Sequence, residues 1–309
     1  MCGIAGIIYR DGAGSVGHDM TRMLQSMKHR GPDSTGYALY AEPRSGIVMR
    51  FTLADANDPR DFDFADRIER NRRQVEQRLH AAGASITDSK AETEYAYRYT
   101  LDYTGDVKAL ADLVEDVQGA EVLSLGNTLE IIKDLGDAES VSDQYRLDGF
   151  RGTHAIGHVR MATESDVDIS GAHPYWAYPF SDVAVVHNGQ LTNYFQWKRR
   201  LERSGHRFNS ECDSEIIAVY LAEKMAEGMG LEDAMRQSLE ELDGVFTYIC
   251  VTGDELGMAK DEMAAKPLVL YEGQDMVALA SEEIAIRAVI DHEIETLDPY
   301  EGEVLVWSR

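Results

Sequence analysis

The chain reads as an α+β protein made of packed layers of sheet and helix. Residues 3–9 open it with an apolar run of the length of a buried strand. Beyond residue 153, strand patterns come first, then helical ones, then strands again, an order that layers sheets against helices. Between these parts, residues 42–152 change character and read as an α+β insertion.

Gly3-Ile4-Ala5-Gly6-Ile7-Ile8-Tyr9 has no polar face, as in a strand covered on both sides. Over residues 19–28, Met20, Met23, Leu24 and Met27 fall at helical spacing. His29-Arg30-Gly31-Pro32-Asp33-Ser34 is a loop by its Gly-Pro, and residues 36–40 follow as a strand. Within the insertion, residues 66–80 predict a charged helix with Ile68, Val75 and Leu79 as its few apolar positions. Tyr95, Tyr97, Tyr99, Leu101 and Tyr103 alternate strictly, which signals a strand. Residues 108–117 read as a helix and 121–125 as a strand. After the insertion, residues 155–161 and 183–187 read as strands. Residues 213–226 set Ile216, Ile217, Tyr220, Leu221 and Met225 on one helical face, with Asp213 placed as the N-cap. Residues 231–242 form a second helix, and 245–251, 268–271, 277–280 and 304–307 close the chain as strands.

The 309 residues suffice for one large domain or two. A net charge of -25 argues against a nucleic-acid backbone or an anionic membrane as the main partner. Arg outnumbers Lys 22 to 8, so positive charge sits mostly on the residue suited to clamping carboxylates. Cys2, Cys212 and Cys250 cannot form a closed disulfide set, and no spacing resembles a zinc site. The pattern at 246–251 makes Cys250 a core residue. No basic region precedes an apolar stretch at the start, and no apolar run approaches the roughly 18 residues of a membrane span. The expectation is a soluble protein of a reducing cytoplasm.

The opening Met1-Cys2-Gly3 carries the most chemistry. Removal of Met1 is expected because the next side chain is small, and it leaves a cysteine with a free α-amine. One residue then supplies a nucleophile and a base, since an α-amine titrates near 7.7–8.0 and is partly unprotonated at neutral pH. Taken alone, Cys2 also fits a small buried residue at a strand start. His187-Asn188-Gly189 offers a neutral side-chain donor and an approachable backbone N–H, yet Asn-Gly is also the commonest tight turn. Arg160 stands in the otherwise apolar Gly157-His158-Val159-Arg160-Met161-Ala162-Thr163, where a substrate carboxylate or a structural ion pair would offset its burial. Gly12-Ala13-Gly14-Ser15-Val16-Gly17 matches a dinucleotide fingerprint with Glu42 at the acid position, but Arg10-Asp11 breaks the tight strand-to-glycine turn, so a surface turn is expected. His154, His158, His173 and His187 lack carboxylate company at metal spacing and read as hydrogen-bonded histidines.

Together these motifs resemble the class II (N-terminal nucleophile) glutamine amidotransferases. The match takes in Met1-Cys2-Gly3-Ile4, the 29–34 and 157–163 motifs, His173-Pro174, His187-Asn188-Gly189 and Ser210-Glu211-Cys212-Asp213-Ser214-Glu215. Weaker echoes follow in Lys260-Asp261, Lys266-Pro267-Leu268, Ala280-Ser281-Glu282 and Gly302-Glu303-Val304. The resemblance implies a single domain over 2–309, interrupted at about 42–152. It implies a four-layer αββα N-terminal-nucleophile hydrolase fold with two antiparallel sheets. It also implies that Cys2 is the nucleophile, its α-amine the base, and Asn188 and Gly189 the oxyanion hole. Arg160 would hold the glutamine carboxylate, Asp213 the α-ammonium, and Thr163 would line the pocket. The sequence departs from many relatives at Met161, where an aromatic is common, and at Cys212, where Thr is common.

The motifs run almost to residue 309, which implies a free-standing glutaminase subunit whose acceptor site lies on another chain. The insertion resembles the free-standing counterpart of the glutamate synthase amidotransferase domain, closest to the amidotransferase-like subunit family of N-methylglutamate synthase. That resemblance implies glutamine or glutamate as substrate and partner subunits akin to two parts of glutamate synthase. One would carry FMN and an iron–sulfur cluster, and the other would be the glycine-rich part. It implies no cofactor on this chain. A free-standing glutamate synthase subunit and a catalytically silent scaffold are the alternatives.

Overall fold

The computed structural model describes residues 2–161, 169–178, 180, 182–208 and 210–309. Strand β1 (Gly3–Tyr9) leads into helix α1 (Val16–Ser26), which buries Met20, Met23 and Leu24 as their spacing requires. α1 begins earlier than its apolar spacing indicates, because Val16 and Gly17 pack on the turn at 147–150. A Cβ on Gly17 would stand 2.0 Å from the Leu147 carbonyl oxygen. Next come β2 (Ser34–Tyr40), β3 (Ile47–Thr52), α2 (Phe64–Ala81), β4 (Ser85–Ala91) and β5 (Ala96–Asp102). α3 (Val107–Glu115), β6 (Glu121–Gly126), β7 (Leu129–Leu135) and α4 (Ala138–Tyr145) follow. The second half holds β8 (His154–Arg160), β9 (Tyr175–Trp176), β10 (Ala184–Leu191), α5 (Tyr194–Arg203), α6 (Asp213–Ala226) and α7 (Leu231–Glu241). It ends with β11 (Gly244–Val251), β12 (Glu255–Lys260), β13 (Val269–Glu272), β14 (Met276–Ala280), α8 (Glu283–Arg287) and β15 (Val304–Ser308).

These strands make two main antiparallel sheets. One has the order β13-β14-β1-β8-β2-β7 and the other β15-β12-β11-β10-β9. α1, α4 and α8 cover the first sheet; α6 and α7 cover the second, with α5 against α6. β1 and β8 face β10 and β11 across the middle. The layers are therefore αββα, as the resemblance implies. Period-2 alternation explains why strands of the second sheet lack a polar side: Val186, Ile249 and Val251 pack toward the first sheet, while Val185, Tyr248 and Cys250 pack toward the helices. Cys250 is fully buried, and burial pushes its thiol well up. α6 is apolar nearly all round because it is enclosed by the second sheet, α5 and α7. Among the described residues no helix is long and apolar enough to cross a membrane.

The stretch expected as one insertion divides in space. β3 to β6 form a separate four-stranded sheet, order β4-β5-β3-β6, with α2 and α3 packed on it. β7 and α4, however, belong to the main sandwich, since β7 pairs with β2 from Ser34↔Leu135 to Tyr40↔Leu129. The separate sheet thus ends at Gly126 rather than near residue 152. A buried carboxylate fastens the two parts: Glu130 on β7 takes Arg44 at 2.5 Å, Arg50 at 2.8 Å and Arg98 at 2.8 Å. Burial alone would raise that carboxyl, but the three guanidiniums hold it well below the usual carboxylate range.

Candidate active site

Register places the first residues of the site. Gly3 pairs with Val159 and Ile4 with His158, while Ser34 on β2 pairs with Arg160. Cys2, one residue before β1, therefore lies at the same end of the first sheet as Arg160. Its Sγ is 3.9 Å from the Met161 carbonyl. Gly31 of the 29–34 loop makes room here, because a Cβ on it would stand 2.4 Å from the Arg160 carbonyl carbon. The Cys2 carbonyl accepts two hydrogen bonds, from Arg30 Nε at 3.0 Å and from Asn188 Nδ2 at 3.1 Å. The second of these brings the other sheet to Cys2.

His187-Asn188-Gly189 does not form the tight turn that its Asn-Gly pair equally suggests. It lies inside β10, paired His187↔Tyr248, Asn188↔Thr247 and Gly189↔Phe246 with β11. Gly189 has φ +147°, and a Cβ there would stand 2.2 Å from the Val245 carbonyl oxygen. Only glycine fits. A positive-φ glycine weakens a strand interior, so its place next to Asn188, which bonds the Cys2 carbonyl, reads as a feature of a site rather than of the sheet.

Asp213 is not the cap of α6. Cys212 occupies the N-cap position without a capping side-chain bond, and Asp213 is the first helical residue. Its Oδ2 accepts the N–H of Leu191 at 2.8 Å, two residues beyond Gly189, and its Oδ1 is 3.6 Å from His187 Nδ1. The carboxylate is thus fixed at the end of β10, at a helix N-terminus that favours negative charge. A cleft of about 440 Å³ opens here, walled by Gly189, Leu191, Tyr194, Cys212 and Asp213 among others. That volume suits a small molecule such as a free amino acid. The described walls include Gly189 and Asp213 but not Cys2 or Arg160. Thr163 lies outside the described residues.

Behind the cleft lies a junction at Ser214 that the 210–215 motif does not announce. Ser214 is fully buried, and its Oγ meets His173 Nε2 at 2.5 Å and His187 Nδ1 at 2.8 Å. His158 stacks near His173 with ring centroids 4.1 Å apart. Burial lowers the pKa of His158 to about 3, that of His154 to about 4, and those of His173 and His187 as well, so all four imidazoles are neutral at pH 7. Among the described residues no group of three His, Cys, Asp or Glu could hold a metal. Burial, helped by the Asp213 carboxylate, pushes the Cys212 thiol up and makes it a poor nucleophile. The glycine run at 12–17 is no dinucleotide cradle. β1 lies in an antiparallel sheet, Gly14 bridges to Gly152, and Gly17 is a packing residue of α1.

The family described as "Glutamine amidotransferase domain" matches residues 158–288. A protein assigned as a glutamine amidotransferase in Methanothermobacter thermautotrophicus is 39% identical over 312 residues, with both chains covered in full. The glutamine amidotransferase-like protein GlxB of Rhizobium meliloti is 34% identical over 313 residues, covering 100% of this chain and 99% of GlxB. Two solved structures share the fold. The allosteric regulatory enzyme of purine biosynthesis has a TM-score of 0.63 at 21% identity, and the glutamine phosphoribosylpyrophosphate amidotransferase of B. subtilis 0.62 at 20%. Each match covers 99% of this chain and 47% of the other, so the chain spans about half the length of those enzymes. Two relatives alike from end to end and a shared αββα sandwich identify the chain as a member of the glutamine amidotransferases, with the class II, N-terminal-nucleophile fold.

Proposed function

We propose that the chain hydrolyses the side-chain amide of glutamine through Cys2 and delivers the nitrogen to a partner subunit. One observation carries this: Asn188-Gly189 is held inside a strand, with Asn188 Nδ2 3.1 Å from the Cys2 carbonyl. Donors suited to an oxyanion then stand beside the residue that becomes an N-terminal cysteine once Met1 is removed.

In this reading the Cys2 thiol adds to the glutamine amide carbon, and its proton passes through the α-amine to the leaving nitrogen. The oxyanion receives an N–H of the Asn188 carboxamide and the backbone N–H of Gly189. A carboxamide nitrogen has two N–H groups, so the one on the Cys2 carbonyl leaves the other for substrate. Ammonia leaves, and water cleaves the γ-glutamyl thioester to glutamate. Arg160 takes the substrate carboxylate, Asp213 its ammonium, and Thr163 lines the pocket. The domain extends over 2–309, with the four-stranded sheet inserted in it.

At finer grain, the motif order and the inserted sheet support a subunit of a glutamate-synthase-like assembly, the amidotransferase-like subunit of N-methylglutamate synthase (methylamine–glutamate N-methyltransferase). FMN and the iron–sulfur cluster belong to a partner in this reading. The test is purification of the tagged chain from its own cytoplasm, followed by assay of the complex with labelled methylamine and glutamate. A bound flavoprotein and labelled N-methylglutamate support the assignment. A flavoprotein complex that makes only glutamate moves it to a glutamate synthase. A complex whose activity survives Cys2→Ala makes this chain a scaffold.

A further inference from the structure

The 29–34 loop and the Ser281-Glu282 pair have no part in the chemistry above, yet both reach the nucleophile. Arg30 ends a 3-10 turn at Lys28–Arg30 and is only 9% exposed. Its Nε donates to the Cys2 carbonyl at 3.0 Å, and its Nη1 donates to Glu282 Oε1 at 2.6 Å. Glu282 Oε2 meets His29 Nε2 at 3.0 Å. Burial would raise the Glu282 carboxyl, but the bonds from Arg30 and His29 hold it below its ordinary value, so it stays ionised and anchors the guanidinium. One residue earlier, Ser281 Oγ accepts the N–H of Ile4 at 3.0 Å, and the Ser281 N–H donates to the Ile4 carbonyl at 2.9 Å.

These contacts matter because Cys2 lies outside the ladder of β1. A residue beyond the last strand pair frays unless something ties it. The orientation of its carbonyl also sets where its thiol and main-chain nitrogen stand. The Cys2 carbonyl oxygen has two acceptor sites, and both are filled, by Arg30 Nε and by Asn188 Nδ2. Without Arg30, the carbonyl would be held only by the carboxamide that must also serve the oxyanion.

Resting on the reading of Cys2 as nucleophile, we propose that Arg30, anchored by Glu282, is a positioning residue. It holds the Cys2 carbonyl so that the thiol is aimed at the amide and Asn188 remains available to the oxyanion. Arg30 touches neither substrate nor the reacting atoms. Its effect belongs to the chemical step rather than to glutamine affinity. Lysine restores part of the effect, since one ammonium reaches the carbonyl or Glu282 but lacks the fork that spans both.

The experiment measures kcat and KM for glutamine hydrolysis by the whole chain, with any co-purifying partners, beside the melting temperature. Wild type, Arg30→Ala, Arg30→Lys and Glu282→Gln are compared. Arg30→Ala should lower kcat about 100-fold with KM within about 3-fold, the size of effect that small misplacements of a reacting group produce. Arg30→Lys should recover about 10-fold of that loss, and Glu282→Gln should fall between Arg30→Ala and wild type. If Arg30→Ala does not fold, the two conservative variants decide alone by the same split. A wild-type kcat in Arg30→Ala overturns the proposal. So does a rise in KM with kcat unchanged, or a loss in which Arg30→Lys does no better than Arg30→Ala. A wild-type chain that never hydrolyses glutamine, alone or in its complex, overturns the functional reading and this proposal with it. An active wild type beside an equally active Arg30→Ala overturns the positioning role only.

Discussion

At Asn188 a single carboxamide faces the Cys2 carbonyl at 3.1 Å, while Asp213 is fixed by the Leu191 N–H at 2.8 Å. The two should fail differently. In the proposed mechanism Asn188→Ala removes a donor to the developing charge, so it should lower kcat roughly 100- to 1,000-fold with little change in KM. In the proposed mechanism Asp213→Asn removes the charge that would meet the substrate ammonium. A charge-assisted bond of about 1.5–3 kcal/mol then appears chiefly in KM, a rise of roughly 10- to 150-fold. Steady-state glutamine hydrolysis by both variants checks the contrast. The residue types at these positions are legible as motifs, because Cys, Asn-Gly, Arg and Asp are chemically distinctive. Their meeting is not legible. Cys2 and Asn188 are 186 positions apart, and only the packing of two sheets joins them. Ser214 and Arg30 lie in motifs that carry the resemblance, but their roles are not legible for the same reason: the partners arrive from other elements.

Among the elements, β8 and β10 carry most of the site, and they also bury the histidine cluster between and behind the sheets. This burial makes stability depend on pH. In the unfolded chain each histidine titrates near 6.5, whereas in the folded chain His154 does so at about 4 and His158 at about 3. Below about pH 6.5 the unfolded state binds protons that the folded state refuses, so stability is full above that pH and falls as pH drops toward 4. Each such histidine contributes up to about 1.4 kcal/mol per pH unit inside that window. Urea melts at pH 7 and pH 5 should show the loss, and His154→Gln should reduce the slope. Elements with one clear period are legible in the sequence: α1, α2, β5, α6 and α7 lie close to their expected positions. β4 is not, because it is an edge strand with every residue exposed and so has no apolar alternation. α5 escapes a periodicity reading because only Trp197 and Leu201 of its ten residues are buried.

For the whole molecule, the division of residues 42–152 sets what can be removed. Val48 pairs with Gly126, so the ends of the separate sheet lie side by side and a short linker can join them. Excision of 42–152 takes away β7 and bares the edge of β2. It should abolish cooperative melting, whereas excision of 46–126 should leave a chain that still melts cooperatively. Thermal circular dichroism compares them. The change of character at residue 42 is legible from composition; its end is not, since β7, although buried, carries Glu130, Lys133 and Asp134 and so does not read as a core strand. The proposed function requires this sandwich to present an N-terminal cysteine to glutamine. The most direct test is peptide mass spectrometry after treatment with the glutamine analogue diazo-oxo-norleucine. The expected result is an adduct on an N-terminal peptide that begins at Cys2, which establishes Met1 removal, a reactive thiol and a glutamine-shaped pocket together. An unmodified Cys2 in the isolated chain and in its native complex would overturn the proposed function.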